Sequence, residues 1–215
     1  MTIRLVIADD HAIVREGLKR IVADAPDLQV AGEAADGTEV MERVRTIDFD
    51  VLVLDLSMPG RSGMELIKLV KAEKPRLRIL VLSMHQEMQY AVRAIKSGAS
   101  GYLTKESAPA QLEQAIRKIA GGGAYISAEV AEQLALGAMP AGDAAPHTTL
   151  SDREFQVFRM LADGEAVSDI ASTLNLSVKT VSTHKARLMH KLGVATTGEL
   201  IRYALTHRLT GEDAP

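Results

Sequence analysis

The sequence predicts a doubly wound α/β domain followed by a small all-α domain. Three observations carry this. Short apolar runs, Ile3–Ala8, Val51–Leu54, Ile79–Leu82 and Gly101–Thr104, each end at a polar residue. Continuous Val/Ile/Leu runs are the pattern of strands buried on both faces of a parallel sheet. Amphipathic stretches alternate with the runs up to about Ala120, in five strand–helix repeats with short joins. From Leu150 onward the periodicity is helical only.

The elements follow in order. Strand-like Ile3–Ala8 runs into the acids Asp9 and Asp10. Ala12–Ala23 reads as a helix with Ile13, Gly17, Leu18, Ile21 and Val22 on one face. Leu28–Ala34 is a second strand and Thr38–Arg45 a second helix. Val51–Leu54 leads through Met58-Pro59-Gly60 to a helix over Ser62–Lys74, which Pro75 stops. Ile79–Leu82 leads to Gln86–Ser97, stopped by Gly98. Gly101–Thr104 leads to Pro109–Ala120, ended by Gly121-Gly122-Gly123. Right-handed crossovers favour the flavodoxin-like strand order 2-1-3-4-5, with strands one and three side by side. Ala128–Leu136 is long enough for a short helix, and the small, Gly- and Pro-bearing run Gly137–Pro146 reads as a flexible tether.

In the second half, Ser151 and Glu154 have the spacing of a capping box opening Asp152–Ala162. Val167–Leu174 is a short helix. Asn175-Leu176-Ser177 makes a tight turn, with Ser177 as N-cap of Val178–Leu192. Gly193 ends that helix, and Thr197–Thr206 is a fourth. Two helices joined by a short turn, the second basic, form a helix-turn-helix. The expected divisions are 1–123, a linker 124–147 and 148–211.

Composition narrows the function. Aromatic residues make up 3% of the 215 and there is no Trp, so stacking on bases is not the working principle. There is no cysteine, which removes thiol chemistry and thiolate-bound zinc and fits a reducing cytoplasm. No apolar run reaches the length of a membrane span, and no signal-peptide pattern precedes Asp9. Net charge is −3, yet from Ile170 to Gly198 there is no acid, while Lys179, Lys185, Arg187 and Lys191 fall there. A basic window in a mildly acidic chain is the footprint of a nucleic acid partner.

Five separated polar positions carry the chemistry of the first domain: Asp9-Asp10, Asp55, Ser83 and Lys105. In a parallel sheet, ligands sit in the crevice at the carboxyl ends of the strands, so these positions converge. Three carboxylates at close quarters repel unless a cation joins them, and hard oxygen ligands point to Mg²⁺. Asp55 is the expected phosphoryl acceptor, a carboxylate nucleophile. Asp9, Asp10, Asp55 and the carbonyl of Ser57 are the expected metal ligands. Lys105 supplies a second cation, and Ser83 hydrogen-bonds the phosphoryl group and draws its loop inward. Tyr102 is the expected partner of Ser83 in that switch. His11 and His85 have no partner at metal spacing and read as edge residues.

On the wheel of Val178–Leu192, Val181, Leu188 and Leu192 form an apolar face, flanked by Val178 and the Lys185 stem. The opposite face carries Lys179, Thr183, Ala186, Arg187 and His190, with Ser182 at its edge. Such a helix fits the major groove. Lys179, Lys185, Arg187 and Lys191 are candidate phosphate contacts, and Ser182, Thr183 and Ala186 candidate base-edge positions. Thr180 and His184 complete the expected DNA-binding set. In the last helix Ile201, Ala204 and Leu205 are open between core and dimer seam.

The stretches Ala8-Asp9-Asp10-His11, Val53-Leu54-Asp55-Leu56-Ser57-Met58-Pro59-Gly60, Val81-Leu82-Ser83-Met84-His85 and Gly98 to Lys105 resemble the receiver domain of bacterial response regulators. Leu150 to Glu154, Ile170-Ala171, Ser177 to His184 and Lys191 to Val194 resemble the LuxR-type DNA-binding domain. Together they are similar to the NarL/FixJ subfamily of two-component response regulators. The resemblance implies phosphorylation of Asp55 by a sensor histidine kinase, and promoter binding by a phosphorylation-induced homodimer. Two positions depart from the pattern: Ser83 stands where Thr is commoner, and Val167-Ser168-Asp169 replaces a lysine-bearing stretch. An aspartyl-nucleophile phosphotransferase is a competing reading, but the short joins leave no lid. A regulator with a vestigial receiver is a third, against which all five site residues are present.

Overall fold

The computed structural model describes residues 2–58, 63–84, 88–136, 145–174, 176–207 and 209. The chain forms two compact units, Met1–Ala135 and Leu136–Pro215. The first is a five-stranded parallel sheet in the order β2-β1-β3-β4-β5, as the crossover argument expects. Its strands are β1 (Ile3–Ala8), β2 (Leu28–Ala34), β3 (Val51–Asp55), β4 (Arg78–Ser83) and β5 (Gly101–Thr104). Between and after them run α1 (Ala12–Ala23), α2 (Gly37–Thr46), α3 (Gly63–Glu73), α4 (Met88–Lys96) and α5 (Ala108–Ala120).

Alternation along the strands divides the core in two. Leu5, Ile7, Val51, Val53, Leu80, Leu82 and Leu103 face α1 and α5, meeting Leu18, Val22, Leu112 and Ile116. The intervening residues Val6, Leu52, Leu54, Ile79 and Val81 are equally buried and point to the other face. Each such side chain contributes roughly 1.5–3 kcal/mol by leaving water, which is why a central strand such as Val51–Asp55 has no exposed position.

The α1 face differs from expectation. Its core stripe is Val14, Leu18, Ile21 and Val22, whereas Ile13 is 82% exposed and Gly17 is exposed. α1 lies on a face it shares with α5, so the sheet covers a narrower stripe than five apolar positions span. Pro59 and Gly60 of the Met58-Pro59-Gly60 turn, Ser62, His85, Asn175 and most of the Gly137–Pro146 tether lie outside the described residues.

After α5 the chain returns to the sheet. Tyr125 pairs with Gly101: Tyr102 N–H donates to the Tyr125 carbonyl at 2.9 Å and Tyr125 N–H to Ser100 at 3.1 Å. A Cβ on Gly101 would stand 3.1 Å from the Tyr125 carbonyl, so the missing side chain permits this approach. α6 (Ala128–Leu136) then lays Val130 and Leu134 against Ala91, Val92, Tyr102 and Ile126.

The second unit comprises a 3-10 turn at Pro146–Thr149, then α7 (Asp152–Ala162), α8 (Val167–Thr173), α9 (Val178–Leu192) and α10 (Thr197–Thr206). Phe155, Phe158, Ile170, Val181, Leu188, Leu200 and Ala204 fill its core. The Ser151–Glu154 capping box forms, and Ser177 accepts from the Thr180 N–H at the start of α9. A second box, Thr196 with Glu199, opens α10. Gly193 closes α9 at φ 68°, the left-handed conformation that glycine adopts without strain.

Candidate functional site: the acidic cluster and the basic helix

Register brings the first site together. Ala8 stands opposite Leu54, Asp55 opposite Leu82, and Ser83 opposite Thr104. Asp9, Asp55 and Ser83 therefore leave neighbouring strands at one edge, and all three are buried. Lys105 is held there by its own backbone, whose N–H donates to the Ser83 carbonyl at 2.8 Å. Its ammonium donates to Asp55 Oδ2 at 2.9 Å. It also lies 2.7 Å from Asp9 Oδ2, an ion pair without the alignment of a hydrogen bond. Asp55 Oδ1 accepts from the Ser57 N–H at 3.0 Å, which turns the chain so that the Ser57 peptide borders the cluster. Tyr102 is half-buried in the α4–α6 cluster.

The electrostatics follow from burial. Burial pushes the Asp55 carboxyl above its ordinary value, against the Lys105 and Ser57 hydrogen bonds that pull it down. Burial also pulls the Lys105 ammonium down, but Asp9 and Asp55 outweigh it and hold it above its ordinary value. For this pair the direction that stands is a charged lysine among carboxylates that repel one another. One ligand atom from each of Asp9, Asp10, His11 and Asp55 lies within 4.8 Å of the others. Mutually repelling oxygen donors in that compass suit a small hard cation. His11 was read from sequence as an edge residue. Its Nδ1 is 3.0 Å from Asp10 Oδ1, and only the strand-end geometry reveals this.

In the second unit, α8 and α9 form the helix-turn-helix. Lys179, Ser182, Thr183, Ala186, Arg187 and His190 are exposed along α9, as the wheel expects. The Thr183 hydroxyl is turned back onto the Lys179 carbonyl at 2.9 Å. Thr180 and His184 are half-buried, and burial draws the His184 imidazole below its ordinary value, with Arg153 adding to it. Two lysines are engaged inside the unit. Lys185 donates to the Thr197 hydroxyl at 2.9 Å. Lys191 lies 2.6 Å from Glu154 Oε2 and donates to the Thr149 carbonyl at 3.3 Å. Both ammonium groups thus join α9 to its neighbours within the unit. Val178, expected beside the apolar face, is 54% exposed. Ala204 is core, while Leu205 is exposed.

A buried acid–lysine cluster at the carboxyl edge of such a sheet, followed by a helix-turn-helix unit, defines a class. The chain belongs to the NarL/FixJ family of two-component response regulators, which regulate transcription and are not enzymes. Residues 5–117 match the response regulator receiver domain, and residues 148–204 match the bacterial regulatory proteins of the luxR family. Its relatives include the response regulator UvrY of Escherichia coli K12, 36% identical over 96% of this chain and 95% of that one. The response regulator GacA of Pseudomonas viridiflava is 35% identical over 99% of this chain and all of that one. Among solved structures, RcsB of Salmonella typhimurium superposes with a TM-score of 0.71 at 32% identity, covering 95% of this chain and 98% of that one. RcsB of Salmonella enterica serovar Typhimurium, bound to a promoter in the presence of the phosphomimetic BeF3−, gives 0.69 at 32% identity, over 96% of this chain and all of that one.

Proposed function

We propose that a sensor histidine kinase phosphorylates Asp55, and that the phosphorylated chain binds promoter DNA as a homodimer in the cytoplasm. The observation that carries this is the Lys105 ammonium lying between Asp9 and Asp55. A cation so placed balances a nucleophilic carboxylate before transfer and a phosphoryl oxygen after it. An Asp55 oxygen attacks the phosphorus of a phosphohistidine. The O–P bond forms, the P–N bond breaks, and the electron pair stays on the imidazole. Asp9, Asp10, Asp55 and the Ser57 carbonyl would hold Mg²⁺, which neutralises charge on the transferring group. The Ser83 hydroxyl, at the same strand edge, hydrogen-bonds the new phosphoryl group, and Tyr102 follows it inward. The promoter complex of RcsB, and the structure of two RcsB dimers bound to two parallel DNAs, support the same use of the second unit here. On α9, Lys179 and Arg187 carry the phosphate contacts, with Ser182, Thr183 and Ala186 at the base edges and Thr180 and His184 flanking them.

The test is labelling of the full chain with a small acyl phosphate and Mg²⁺, read by intact mass. Asp55→Asn should abolish the added phosphoryl mass, and undiminished labelling in that variant overturns the assignment.

A further inference from the structure

The geometry points to Arg15 as a positioning residue for the metal-binding acids. It acts through the backbone of Asp9 and is braced by Glu33. This rests on the phosphoacceptor reading above. Arg15 Nη1 donates to the Asp9 carbonyl at 2.7 Å, and its Nε donates to Glu33 Oε2 at 3.2 Å. The other Glu33 oxygen accepts from Lys19 at 2.8 Å, and the Glu33 carbonyl accepts from Arg43 Nε at 3.1 Å. Lys19 first, then Arg15, holds the Glu33 carboxyl below its ordinary value, so this brace is an anion. The guanidinium side chain is 18% exposed. It thus spans from α1 to the end of β1 and is fixed from β2, where Arg43 of α2 holds Glu33 in turn.

The acids need such a brace. Three carboxylates with ligand atoms inside 4.8 Å push one another apart, and the Asp9–Asp10 turn is where the chain can yield. Asp9 is tied on both sides of this turn. Its N–H donates to the Ala34 carbonyl at 3.1 Å, and its Oδ1 accepts from the His11 N–H at 2.9 Å. The Asp9 carbonyl is the remaining backbone handle, and Arg15 holds it. Glu33 occupies the same guanidinium, so Arg15 is held on the Asp9 carbonyl and not on the carboxylates that a cation must find ionised. The outer partners of a metal site commonly set its affinity by tenfold or more without touching the ion.

Calorimetric titration of the full chain with Mg²⁺, without phosphodonor, tests this. Arg15→Ala should weaken Mg²⁺ binding by about tenfold. Its melting temperature in chelator should stay near wild type, and saturating Mg²⁺ should restore its labelling rate. Arg15→Lys keeps the charge but not the fork, and should fall between the two. Glu33→Gln should weaken binding in the same direction. If Arg15→Ala does not fold, the Lys and Gln variants decide. Wild-type Mg²⁺ affinity in the variants that fold, with wild type itself labelled at Asp55, removes the positioning role alone. A wild-type chain that neither binds Mg²⁺ nor accepts a phosphoryl group removes both this role and the reading beneath it.

Discussion

The ammonium of Lys191 lies 2.6 Å from Glu154, the residue whose carboxylate also closes the capping box of α7 on the Ser151 N–H. One buried carboxylate thereby serves the start of α7 and the end of α9. The basic residue nearest the end of α9 is a strut between α9 and α7. Of the lysines and arginines on α9, Lys185 and Lys191 are thus engaged within the unit.

An acid-stability prediction follows. Burial pushes the Glu154 carboxyl up, but the Lys191 and Ser151 hydrogen bonds outweigh it and hold it below the ordinary value of 4.5. A lowered carboxyl contributes stability that is present above its unfolded value and lost as pH falls through the folded one. The contribution should therefore fade from about pH 4.5 downward. In Lys191→Met the acid-side fall in the melting temperature of the second unit should be shallower. Melts followed by circular dichroism across that range decide it, and parallel curves for the two proteins count against the strut.

The same division of labour predicts salt dependence. Lys179→Ala and Arg187→Ala should each reduce the slope of log affinity against log salt by roughly one. Lys185→Met and Lys191→Met should leave the slope unchanged while lowering thermal stability. Binding curves at several salt concentrations on cognate and scrambled duplexes measure both quantities. Equal slope losses for all four lysine and arginine variants would show that the internal pairs open on DNA.

If Thr183 reaches a base edge as proposed, it should offer its methyl, because its hydroxyl is returned to the Lys179 carbonyl. Thr183→Val should then keep the site preference. Thr183→Arg or Ala186→Leu should alter it by about 1–3 kcal/mol per disfavoured base pair. A Val variant that loses discrimination would place the hydroxyl, not the methyl, at the base edge.

Tyr102, the residue proposed to follow Ser83, packs in the same cluster as α6. Its ring packs against the cluster of Ala91, Val92 and Val130, beside a cavity of about 410 Å³ lined also by Thr104, Ser107 and Gln111. An inward turn toward Ser83 would withdraw the ring from α6. Backbone amides of 128–136 should then exchange faster on labelling of Asp55, and faster without labelling in Tyr102→Ala. Hydrogen-exchange mass spectrometry reads this, and unchanged exchange in a fully labelled sample would disconnect α6 from the switch.

Much of this was legible in the residues. Val51–Leu54 could only be a central strand, and once the strand order was fixed, Asp9, Asp55, Ser83 and Lys105 had to meet. Local signals such as Ser151–Glu154 and Gly193 were legible because caps and left-handed turns depend on residues a few positions apart. Pairings distant in sequence were not. Nothing near Lys191 announces Glu154, nothing near Arg15 announces the Asp9 carbonyl or Glu33, and a wheel cannot say which half of an α1 stripe its neighbours will cover. Tyr125 was missed for another reason: a single bridge to Gly101 has no periodicity to detect.

That bridge has a consequence for the sheet as a surface. β5 is the last strand in the order, and its outer N–H and C=O groups would otherwise be a template for any extended chain. Tyr125 occupies that template from within the same chain, and α6 lies alongside it. The segment joining the two units is thus also a hem. A receiver cut after α5 would carry a raw strand edge, and its tendency to self-associate would report on the cut and not on the signalling state of the whole protein.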